Sequence, residues 1–247
     1  MSTRIRILLA VLVVAVVVVG GAIYWFLRDD SPDEVSLEAA TATVETTVAG
    51  TADAGPSAIV EGDISGTWTV DTETGEFDYE SATGTFAGFR IEEELANIGS
   101  TTAVGRTGDV SGSITIDGTT VTDGSFEVDM TTITTNESRR DGQVQKALET
   151  GQFPTGTFTL TQPVELEEGA AEGAATSVQA AGQLTLHGVT RDITMAIDAQ
   201  LVESTVVVVG TTDITFSDYG VAVPTSPAVL SVEDHGTLEL QLLLARS

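Results

Sequence analysis

The chain has no cysteine. Disulfides, a thiol nucleophile, a lipid-modified cysteine and a cysteine-ligated metal are therefore excluded. It has only two histidines, His187 and His235, far apart in sequence and in no HExxH pattern. Cations are scarce as well: 10 Lys and Arg stand against 37 Asp and Glu, a net charge of -27. Affinity for phosphates comes from clustered Lys and Arg releasing counterions, so nucleic acid is excluded as a partner. The acidity gives solubility and says nothing about fold. Aromatic residues make up 5% of the chain, with eight Phe, so inward positions of any β-structure fall mainly to Val, Ile, Thr and Ala.

Charge is absent altogether from Ile7–Leu27, "ILLAVLVVAVVVVGGAIYWFL". As a helix this run spans about 31 Å, the thickness of a hydrocarbon core. Arg4 and Arg6 precede it, whereas Arg28 is followed at once by Asp29 and Asp30. The positive-inside bias places the N-terminus in the cytoplasm and the rest of the chain outside. Tyr24, Trp25 and Phe26 suit the interface at the far end. The rival is a cleaved signal peptide with Gly20, Gly21 and Ala22 at its site, against which the run is long. Residues 1–28 are thus expected to be a cytoplasmic tip and single-pass transmembrane anchor.

Residues 29–63 are rich in Ala, Thr, Glu and Asp and hold no aromatic residue. Such a segment buries too little apolar surface to offset its ordering entropy, which predicts a flexible, self-repelling tether. A short helix around Ser36–Ala40 is weakly indicated.

From residue 64 to 247 the dominant period is two, with turn residues every eight to twelve positions, as in an antiparallel sandwich or barrel. The strand candidates are "GTWTVD", "GEFDYES", "FAGFRIEEEL", "DVSGSITIDG", "GSFEVDMTTI", "TGTFTLTQPVEL", "AAGQLTLHG", "RDITMAIDAQLV", "TVVVVGTTDITFS" and "GTLELQLLLA". Alternation puts Phe126, Val128 and Met130 on one face and Glu127 and Asp129 on the other. Thr135–Pro154 lacks alternation, begins on a capping residue and spaces Val144 and Leu148 at i and i+4, which predicts one short helix. Leu166–Gln179 reads as a hairpin loop.

Chemistry finds little purchase. A metal site would need His187 and His235 to meet near Asp192 and Asp234, with abundance alone in favour. A serine hydrolase needs a G-x-S-x-G elbow, which is missing, and Ser113 lies in a strand pattern. Glu92, Glu93 and Glu94 on a strand alternate faces, so they are not a carboxylate pair. "GRTGDVSG" lacks the lysine of a phosphate loop. An enzyme using His187 stays a minor alternative. For binding, about eight strands enclose a space that holds packed side chains or one slender ligand. Both a filled module for protein contacts and an incompletely filled lumen fit that description.

"GTWTVD" (Gly66–Asp71), "FEVDMTTITTNESRRDGQ" (Phe126–Gln143), "FPTGTFTLTQPV" (Phe153–Val164), "GQLTLHGVTRDITM" (Gly182–Met195) and "DITFSDYGV" (Asp213–Val221) follow in an order that resembles the YceI-like family. The "LTLHGVTR" hairpin is the most specific of these. The resemblance implies an all-β, lipocalin-like antiparallel barrel with one short helix, holding a polyisoprenoid or other amphiphilic lipid in its lumen. Members of the family are usually exported, some are membrane-anchored, and no catalytic activity is established for them as a class; no cofactor is expected. Two departures are visible. Where the family often reads Arg-Asp-x-His-Leu, this chain has Arg140, Asp141, Gly142, Gln143 and Val144. Where a histidine often ends the strand matching "FRIEEEL", it has Glu93 and Glu94. An anionic headgroup would meet like charge there, whereas a neutral quinone or amide head would not. With this fold, the expected ligand-binding residues in the lumen are Phe89, Ile91, Phe126, Val128, Met130, Phe158, Leu160, Leu186, Met195 and Phe216. Tyr219, Arg139 and Arg140 are expected at the mouth.

Overall fold

The computed structural model describes residues 31–50, 63–75, 77–80, 83–95, 99–135, 138–222 and 229–247. The apolar run Ile7–Leu27, with its anchor and signal-peptide readings, lies outside them. Among the described residues no helix is long and apolar enough to cross a membrane.

Eight antiparallel strands close into a ring. In spatial order they are β1 (Gly66–Val70), β4 (Val110–Asp117), β5 (Thr120–Asp129), β7 (Thr155–Leu160), β9 (Thr176–Leu186), β10 (Val189–Val202), β11 (Thr205–Thr215) and β13 (His235–Arg246), and β13 pairs back onto β1. The last strand is shared along its length. Leu244–Arg246 pair with β1, while Thr237–Gln241 pair with β2 (Phe86–Leu95). Strand β2 in turn carries β3 (Gly99–Thr107) and the two-residue β6 (Thr134–Thr135). Two short strands, β8 (Val164–Glu165) and β12 (Val229–Val232), extend β5 and β2.

The barrel has two unlike ends. At one lie the β4–β5 turn at Gly118–Thr119 and the β10–β11 turn at Glu203–Ser204; we call it the hairpin end. At the other, α2 (Ser138–Ala147) packs Val144 and Leu148 against Met130, Ile133, Leu184 and Leu186. Asp141 fixes the entry to α2 by accepting hydrogen bonds from the Thr135 backbone N–H (2.7 Å) and hydroxyl (2.8 Å). The i, i+4 pair foreseen in the sequence is thus buried, Val144 on the helix and Leu148 in the turn just after it, and the helix is shorter than the Thr135–Pro154 stretch that contains it.

The expected tether is in part a helix. Helix α1 (Leu37–Gly50) starts at Ser36, whose hydroxyl accepts the Ala39 backbone N–H at 3.3 Å, as an N-cap does. Ala40 and Val44 are buried against Val202, Val207, Val209 and Leu243 on the outer wall of β10, β11 and β13. Composition argued against order here because α1 alone has little apolar surface. The barrel supplies the rest. The same packing explains "TVVVVG": Val206 and Val208 face inward and Val207 and Val209 sit beneath α1, so a strand covered on both faces loses its alternation.

Two further expectations change. "GEFDYES" is not a strand among its described residues; it is a loop tied down by the Tyr79 hydroxyl donating to the Val104 carbonyl at 3.1 Å. The reverse holds for β3, which the alternation did not show. Its last five residues, Ala103–Thr107, are buried on both faces.

Val44 is fully buried beneath α1's docking face. Val44→Asp places an unpaired charge there and should cost about 2 kcal/mol or more of stability. Urea unfolding and limited proteolysis check it: the midpoint falls and α1 becomes cleavable while the barrel persists.

Candidate functional site

Inside the ring, the inward positions of β5, β7, β9, β10 and β13 surround two apolar chambers of about 120 and 130 Å³. Each approaches the roughly 150 Å³ of an engineered apolar cavity that stays dry and takes up benzene. The first lies toward the hairpin end, between Ile116, Leu160, Val178, Ile197 and Leu244. The second lies toward α2, between Phe89, Met130, Leu148, Leu186 and Phe216. Phe126, Phe158, Met195, Leu240 and Leu242 border both, so they form a waist between them. Several inward side chains, among them Phe126, Phe158, Leu160, Ile197 and Leu240, are only half-buried. They face space rather than packed neighbours.

Small residues make that space. Thr176, Val178, Ala180 and Gly182 succeed one another along the inner side of β9. Glycines also receive the aromatic rings: a Cβ on Gly182 would meet the Phe158 ring at 2.3 Å, and one on Gly105 the Phe89 ring at 2.6 Å. The rings lie flat against the wall because the neighbouring strand has nothing to push them inward.

Nine of the ten expected lumen residues border a chamber. Ile91 packs against the cluster around α2 and borders neither. The expected mouth residues are placed otherwise. Tyr219 is buried in that same cluster by the 3-10 turn Phe216–Tyr219, and its hydroxyl has no hydrogen-bond partner. Burial pushes the phenol up, opposed by the Arg191 guanidinium. Arg140 forms an ion pair with Glu93. The Arg139 side chain lies outside the described residues. Sequence reasoning missed the β9 side of the lumen below Leu184, where small residues carry no hydrophobic signal.

Glu92 and Glu94 are exposed and Glu93 is buried, the alternation expected of three acids on a strand. Burial pushes the Glu93 carboxyl above the usual carboxylate range, against the pull of the Arg140 guanidinium. His187 closes the β9–β10 hairpin and is half-buried there. Its φ of 51° and the 73° of Gly188 make a two-residue turn with both φ positive. Its Nδ1 donates to the Tyr219 carbonyl at 3.1 Å, its ring meets Phe153 edge-on at 4.7 Å, and Nε2 lies 3.3 Å from a Glu149 oxygen without hydrogen-bond alignment. His235 is exposed beside Glu233, Asp192 accepts from Gln183, and Asp234 from Ser217. The four candidate ligands therefore have separate partners, and among the described residues no three His, Asp or Glu side chains are grouped to hold a metal. Ser113 stands in the β4 ladder opposite Ser125.

The chain matches the family described as the YceI-like domain over residues 33–244. It belongs to that family. No curated protein matches it. Among solved structures, it is similar to a polyisoprenoid binding domain from Saccharophagus degradans implicated in plant cell wall breakdown, at 18% identity and a TM-score of 0.51, covering 66% of this chain and 94% of that one. It is also similar to BcnA of Burkholderia cenocepacia, at 16% identity and a TM-score of 0.51, covering 70% and 98%. These likenesses show the fold of this YceI-like chain, an eight-stranded antiparallel barrel with two short helices.

Two variants test the site's physics. Gly182→Ala forces the Phe158 ring off the wall, and overpacking of this kind should cost about 1–3 kcal/mol by urea unfolding. The Glu93 expectation follows from its folded pKa lying above the unfolded one. As pH rises from about 4.5, the unfolded chain loses this proton first, so ionisation of Glu93 subtracts from stability until the folded carboxyl has also ionised. The stability of Glu93→Gln relative to the natural chain should therefore rise through that window and then level. A gap that stays flat or falls contradicts it.

Proposed function

We propose that this YceI-like protein binds an isoprenoid or other amphiphilic lipid in the barrel lumen, outside the cytoplasm and tethered to the membrane by Ile7–Leu27, as a carrier or sequestering protein. The observation that carries the reading is the pair of apolar chambers meeting at the Phe126–Phe158–Met195 waist. Each methylene withdrawn from water contributes about 0.8 kcal/mol, less the cost of ordering the chain, so affinity needs no polar contact. The ligand-binding residues are then the chamber and waist side chains. The polyisoprenoid binding named for the Saccharophagus degradans domain supports the ligand class. The charge pattern around Ile7–Leu27 supports the anchor and the orientation. The family's fold and the partners that His187 already has favour a binding protein over an enzyme.

The full chain, extracted from an isoprenoid-producing host, should carry a non-covalent apolar adduct in native mass spectrometry. Gly124 and Gly156 border the two chambers, and a Cβ at either meets its nearest neighbour at 3.4 Å. The variant with Gly124→Leu and Gly156→Val should stay folded and lose most of the adduct. A ligand-free mass together with no uptake of added isoprenoid quinone would sink the reading and leave a packed module for protein contacts.

A further inference from the structure

We propose that the chain holds its barrel on a short leash, with the α2 end toward the bilayer and the hairpin end away from it. The inference rests on the reading of Ile7–Leu27 as an anchor. Its own basis is a latch on the outer wall. Glu239, its side chain 1% exposed, accepts from Arg90 Nε at 2.9 Å and from Arg106 Nε at 2.8 Å. Both guanidiniums then reach the backbone of the incoming chain. Arg90 donates to the Pro32 carbonyl at 2.6 Å and to that of Asp33, and Arg106 donates to Asp33 at 2.8 Å. The Arg106 side chain is 4% exposed and lies 4.6 Å over the Phe86 ring. Immediately afterwards α1 is buried along the barrel. Residues 32–44 are therefore part of the folded body rather than of a tether.

The distances set the orientation. Five peptide steps separate Leu27 from Pro32, and fully extended they reach about 18 Å. The latch lies level with Glu239 on β13. From there to the strand's start at His235 is about 13 Å along the strand, and to Ser247 at the hairpin end about 26 Å. The leash reaches past the α2 end and falls short of the hairpin end. The chain's direction agrees: from the latch at Pro32 and Asp33, α1 runs toward Val202 and Leu243, near the hairpin end.

The absence of cysteine makes the test direct. Single donor dyes are placed at Gly142→Cys, which has open space on α2, or at Thr119→Cys, exposed at the hairpin end. The full chain is reconstituted in phosphatidylcholine–phosphatidylglycerol vesicles with a headgroup acceptor. The two ends are about 40 Å apart along β13. Energy transfer should be high from position 142 and low from position 119. A long Gly/Ser insertion between Asp30 and Ser31 should abolish the difference. Equal transfer from both positions, the reverse order, or a difference that survives the insertion overturns the proposal. Failure of the anchor itself reads separately, as loss of the chain from floated vesicles after a carbonate wash, and removes both.

Discussion

An eight-stranded ring encloses only the volume that its inward side chains leave empty, and here those of β9 before Leu184 are Thr176, Val178, Ala180 and Gly182. Everything else in the barrel adjusts to that shortage of bulk. The large inward side chains stand mainly on β5, β7, β10 and β13, where Phe126, Phe158, Met195 and Leu242 meet at the waist and leave a chamber on each side. With larger residues on β9 the same ring would be a solid core.

The outer wall shows the complementary arrangement. The ionic and amide groups on the outward positions of β13 fasten segments to its outer side: Glu239 holds two arginines and the N-terminal arm, Gln241 donates to the Gly84 carbonyl, and Leu243 lies beneath α1. A buried Arg–Glu–Arg group adds little net stability by itself. It fixes where the chain joins the barrel.

Much of the barrel was legible in the sequence because most strands are wet on one face. Period-two alternation located β5, β7, β9, β10 and β13, and the "HG" turn marked the β9–β10 hairpin. Alternation fails where both faces are covered. This is why β3, with Arg106 in the latch and Gly105 beneath Phe89, was missed, whereas α1 was read as tether because its own composition offers little apolar surface. The unbroken "TVVVVG" and "LLLA" runs were the available signal that something covers the outer wall. The lumen was legible through its large residues and not through its small ones. The burial of Tyr219 by a 3-10 turn and the pairing of Arg140 with a buried Glu93 were not legible, because neither is visible as periodicity.

The central claim is that the ligand lies inside the ring, against anonymous apolar side chains. Photolabelling with a diazirine-bearing prenyl chain, followed by peptide mapping, tests this most directly. The account predicts adducts on inward positions around the waist, such as Phe126, Phe158, Met195 and Leu242, competed by unlabelled isoprenoid. Labels confined to the outer wall, or none that compete, would contradict it.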